Sequence, residues 1–186
     1  MGNPPLRERI AGERRRLKSV RRALSVALEK RARANEAYVR FYLAAAEYIE
    51  TAMHRLHIQD VRMGEMIRAK LGTPDATATR ALRELDDRLG GNQRHLHAML
   101  AARDVLRRDG APALTHFEQV THTYTSYITA NMGHHGGTTD LAQRLFDMDD
   151  WAYMAGITDE ETRRERELFD AVFARLPPDV RVAPDE

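Results

Sequence analysis

Apolar residues recur along this chain at intervals of three and four. Val39, Tyr42, Ala46, Ile49, Met53, Leu56, Met63 and Ile67 hold one such series, with Asp60 standing inside it. That spacing is one face of a helix, and a stripe this long predicts a bundle helix. Leu82, Leu85, Leu89, Asn92, Leu96, Met99, Arg103 and Leu106 repeat the pattern over about residues 75–108. Phe117, Val120, Tyr124, Tyr127 and Asn131 follow it after Pro112, and Ile10, Leu17, Val20, Leu24 and Leu28 mark an earlier helix over about residues 6–34.

Gly and Pro punctuate these stripes at Gly72-Thr73-Pro74, Gly110-Ala111-Pro112 and Pro177-Pro178, and no stretch alternates with period two. The connections are short, so neighbouring helices run antiparallel. The expected fold is all-α, an up-down four-helix bundle with additional short C-terminal helices. Residues 1–36 form a basic N-terminal helix, either the first bundle helix or an arm, and residues 37–135 the bundle core. Residues 136–178 form C-terminal helices packed on the bundle, with short helices near 140–146 and 149–155, and residues 179–186 a loose tail. Thr158-x-x-Glu161 reads as a capping box opening the last helix, which buries Leu168, Phe169, Val172 and Phe173.

Composition changes this picture in two ways. The 186 residues include no cysteine, which removes disulfides, thiolate metal sites, iron–sulfur clusters and thiol nucleophiles. Any metal here must be held by imidazole and carboxylate. The formal charge of +1 conceals opposed ends. Residues 7–33 carry eleven Arg or Lys against three Glu, and residues 147–186 carry twelve Asp or Glu against five Arg, local excesses of +8 and −7. The complementary signs favour pairing of the two ends, within a chain or across a homo-oligomer, over docking on nucleic acid or membrane. The basic stretch lacks interleaved aromatics, which argues against a single-strand binding surface. With no run of 18 apolar residues and no signal-peptide core, a cytoplasmic protein without a membrane segment is the expectation.

All eight histidines lie between His54 and His135. At 100° per residue, Asp60 falls within the apolar seam, where a carboxylate needs a cation such as Arg94 or Arg103, a tyrosine hydroxyl, or a metal. His57 flanks that seam and stands i−3 from Asp60. His95 flanks the next seam, His116 faces inward, and so do His134 and His135 if the fourth helix continues past Gly133. His54, His97 and His122 point outward. Pairing across the two short turns sets Asp60 level with Asp86, and Asp86 level with His134. Three helices then converge His57, Asp60, Asp86, His134 and His135 on one layer, the donor chemistry of a His/carboxylate metal site inside a bundle. The glycine pairs follow no strand and match neither a P-loop nor a dinucleotide fingerprint, and no G-x-S-x-G elbow is present.

The segments YIETAMHRLHIQDVRMGEMI and YITANMGHHGGTTDLAQRLFDMDDWAYMAG, separated by a long helix, resemble the hemerythrin-like (HHE cation-binding) proteins over about residues 38–155. That family is built as four-helix bundles holding a non-haem di-iron centre that binds or senses dioxygen, nitric oxide or iron. The resemblance implies His57 and Asp60 as metal ligands from the second helix and His134 and His135 from the fourth, with His95 or Asp86 completing the set. Residues 1–53 contain no histidine to match the family's first-helix ligand, and His134-His135 stand where the family has paired acids. The implied cofactor is therefore a metal ion, mono- or dinuclear non-haem iron or zinc, or none. The implied function is binding, sensing or redox work on a small gaseous ligand, with Tyr124 and Tyr127 lining the cavity. Two other readings stand beside it: a metal-free interaction or dimerisation module, and a non-haem di-metal oxygenase.

Overall fold

The computed structural model describes residues 6–32, 35–131 and 136–184, with side chains from Glu8 onward. Among them the chain is all-α: α1 (Leu6–Lys30), α2 (Glu36–Leu71), α3 (Ala76–Asp109), α4 (Leu114–Asn131), α5 (Gly136–Leu145), α6 (Met148–Met154) and α7 (Asp159–Phe173), with a 3-10 turn at Ala111–Ala113. No helix of the described residues is long and apolar enough to cross a membrane.

Local chemistry sets these boundaries. Asn35 opens α2 by accepting from the Ala37 N–H at 2.9 Å, and Asp75 opens α3 by accepting from Ala78 at 2.7 Å. Gly72 (φ 61°) and Gly110 (φ 67°) end these helices in the left-handed region that glycine tolerates. The Thr158–Glu161 capping box is present in both halves, and a second one, Asp147 with Asp150, opens α6.

Contacts between elements give the layout. On α2 and α3, Glu50 meets Arg103, His57 meets Gln93, Asp60 meets Arg88 and Arg68 meets Asp86, so numbers fall on one helix as they rise on the other. Tyr127 of α4 lies against Gly91 and His95 of α3. Arg21 of α1 reaches Met53 of α2, and Glu118 of α4 accepts from the Ala32 N–H at the end of α1. Helices α5 and α6 pack on the far end of α2, and α5 also on α3. Helix α7 packs on α2 and α1.

The basic N-terminal helix is packed into the protein, burying Leu17, Val20, Ala23, Leu24 and Ala27. One of its cations, Arg16, joins an ionic cluster within the chain. Glu165 of α7, with no exposed surface, receives Arg55 of α2 and Arg16 of α1 (3.6 Å), and Arg55 also pairs with the buried Glu13 at 3.3 Å. The segment 179–184, expected to be loose, is docked instead. The Tyr38 hydroxyl donates to Asp179 at 2.8 Å, and Val180 and Val182 join the main core. The alternation Val180-Arg181-Val182 places both valines on one side, a short-range pattern that helical stripes do not reveal.

The hydrophobic interior falls into two parts. The larger joins α1, the first half of α2, the second half of α3, α4 and α7. The smaller joins Met63, Ile67, Ala78, Ala81 and Leu82 with Leu141, Ala142, Phe146, Met154 and Ala155. Between them the stripes lose their cover: Leu56 and Asp60 on α2, and Leu89, Asn92 and Leu96 on α3, are only half-buried.

Adjacent glycines in mid-α3 test the packing. A Cβ at Gly91 would stand 1.8 Å from the Tyr127 hydroxyl, whereas one at Gly90 meets only the end of Arg94 at 3.5 Å. Gly90→Ala is expected to raise stability by about 0.5–1 kcal/mol. Gly91→Ala is expected to lower it by roughly 1–3 kcal/mol through overpacking. Urea unfolding of the two variants checks the opposite signs.

Candidate functional site

Where the core divides, a cleft of about 1470 Å³ opens between α1, α2, α3, α4 and α7. Its floor is a polar layer built from mid-helix positions. Arg88 is buried, with 3% of its side chain exposed, and donates Nη1 to Asp60 at 2.6 Å. Its Nε and Nη2, also buried, find no partner among the described residues. The His57 Nε2 accepts from the Gln93 carboxamide at 3.0 Å, an arrangement that puts the ring proton on Nδ1. That Nδ1 and the Nε2 of the buried Gln59 are likewise without partners. Buried polar atoms are nearly always satisfied, so four unpaired ones in a single layer mark it as unusual.

Tyr124 closes the cleft from α4. It is fully buried beside the Arg21 guanidinium, and burial raises its hydroxyl pKa while Arg21 pulls the other way. Arg55, on the α7 side, has its pKa lowered by burial against the attraction of Glu13. Glu161 at the mouth is held below the usual carboxylate range by the Thr158 N–H and hydroxyl. Its support of the α7 cap is therefore present above that range and lost as the pH falls below it through the lowered value.

The expected metal ligands are distributed as follows. His57 and Asp60 share the cleft. His95 lies flat on Tyr127, ring centroids 4.3 Å apart, and does not line it. Asp86, placed by the turn arithmetic opposite Asp60, is exposed and pairs with Arg68 at 2.8 Å, because the rungs of α2 and α3 run slightly out of the expected level. His116, expected to face inward, is exposed. His134 and His135 lie outside the described residues. Among the described residues no three His, Asp or Glu side chains are grouped so as to hold a metal. Asp60 already serves Arg88, and His57 already serves Gln93, so the described donors alone do not fit a metal centre.

Arg88 went unnoticed in the sequence, as did the face of α1 that lines the cleft. The signals were present. Asp60 within one apolar seam calls for a cation opposite, and Asn92 in the facing seam marks the same level. Comparison with protein-family models, with curated proteins and with solved structures gives no match for this chain.

The Asp60–Arg88 pair is expected to respond asymmetrically. Asp60→Ala strands a nearly buried guanidinium and should cost about 3 kcal/mol or more. Arg88→Met leaves a carboxylate that retains solvent contact, and should cost about 1–2 kcal/mol. Equal losses in denaturant unfolding would contradict the polar layer described above.

Proposed function

We propose that this protein is an up-down helical bundle that binds a small molecule in the cleft dividing its core. The antiparallel neighbours α1 to α4 and the contact of α1 with α4 support the bundle. The observation that carries the binding reading is the coincidence of cleft and polar layer. Apolar stripes lose their cover at one level on two facing helices, and buried polar atoms without partners among the described residues gather at that level. A pocket of mixed apolar wall and a few placed polar groups is what small-molecule sites are built from.

The uncharged apolar dye phenyl-naphthylamine is expected to bind saturably, at about one per chain, with enhanced fluorescence. Leu96→Trp, which fills the cleft wall, should weaken it about tenfold, and absence of saturable binding would sink the reading.

The hemerythrin-like metal reading is the second proposal, favoured by His57 and Asp60 lining one cleft; a metal there would take the His57 Nε2 in place of the Gln93 carboxamide. In it His57, Asp60, His134 and His135 would hold iron or zinc, with release when the imidazoles protonate. Elemental analysis of protein purified without a histidine tag decides it. About one equivalent, lost in His57→Ala, supports it. A content far below one, unchanged in that variant, removes it.

A further inference from the structure

The charges around the cleft are not balanced in place. Each carboxylate lining it is engaged: Glu50 by Arg103, Asp60 by Arg88, Glu160 by Arg163, Glu161 by the Thr158 cap, and Glu167 by Arg163 and Arg164. The cations of α1 are not. Arg14, Lys18 and Arg22 are exposed, line the cleft, and have no carboxylate partner among the described residues. Their spacing of four places them on one helix face, a stripe roughly 12 Å long along one wall. Arg21 beside them spends its Nη2 on the Met53 sulfur at 3.0 Å, a weak acceptor. At the floor, the Nε and Nη2 of the buried Arg88 have no partner among the described residues. The walls from α2, α3 and α4 are mixed, with apolar Leu56, Leu89, Leu96 and Ile128 among their polar groups.

We propose that the cleft takes an amphipathic organic anion: a carboxylate, phosphate or sulfonate head drawn to the Arg14–Lys18–Arg22 stripe, with an apolar body against α2, α3 and α4. The inference rests on the cleft being a small-molecule site and adds the chemical class of its occupant. Unpaired cations converging on a concave, partly apolar wall raise the local potential and favour such a head group. A basic stripe that served a flat nucleic-acid or membrane surface would instead lie on a convex face.

Two dyes sharing one aromatic body separate the claims. Anilinonaphthalene sulfonate carries the anionic group, and phenyl-naphthylamine lacks it. With the full chain at low salt, the sulfonate is expected to bind about tenfold more tightly than its uncharged parent. Arg14→Gln/Lys18→Gln/Arg22→Gln should abolish that preference, leaving the uncharged dye within about twofold of its original affinity. Arg80→Gln/Arg83→Gln, two exposed cations of α3 outside the cleft, should change neither dye. The three α1 positions are exposed, so the variant keeps its core, and Arg22→Gln alone should show a partial loss in the same direction. Equal affinities for the two dyes, or the same loss from the α3 variant, would overturn the anion assignment while leaving the cleft a binding site. Failure of both dyes to bind would overturn the cleft reading and this one with it.

Discussion

Glu165 sits in α7 with no exposed surface, and a carboxylate in that position needs cations brought to it. Arg55 of α2 and Arg16 of α1 supply them, and Glu13 returns the charge of Arg55. The Tyr48 hydroxyl adds a hydrogen bond at 3.3 Å. Three helices are thereby fixed to one another by groups that none of them satisfies alone. All three of those helices form walls of the cleft, and Arg55 itself lines it. The site's shape therefore depends on an ionic cluster as well as on the apolar packing of α1 and α7 in the larger core.

The cleft floor follows a different logic. An unpaired buried polar group costs on the order of 1–3 kcal/mol, and apolar side chains at the same positions would close the core. The chain instead keeps Arg88, His57 and Gln59 at a level where leucines would be cheaper. Local sequence choices that oppose stability gather where a protein does its work. The α1 stripe follows the same rule from outside, holding like charges along one face that the acidic α7 does not neutralise.

Much of the architecture was legible because long helices leave long stripes. Seam spacing located α2, α3 and α4, and the Thr158 capping box located the start of α7. Features carried by single contacts were not legible. The docking of Val180 and Val182 needs only two residues, too few for a period to register. Asp86 was misplaced because turn arithmetic fixes the level of a helix to within about one turn, and one turn decides whether a side chain meets Asp60 or Arg68. For the site, the sequence exposed the polar residue in each seam but not its partner. Arg88 lies beside its stripe, and its long side chain reaches inward past the position its Cα suggests.

The divided interior also separates what different optical signals report. Trp151, the one tryptophan of the chain, belongs to the smaller core, edge-on to Phe146 with ring centroids 5.4 Å apart. Tyr42, Tyr48 and Tyr124 are buried elsewhere, in the larger core. Indole emission thus follows the melting of α5 and α6 from the ends of α2 and α3, while far-UV ellipticity follows the whole chain. The spectroscopy of this molecule comes already partitioned by its fold, and the temperature gap between the two signals measures how firmly the halves are coupled.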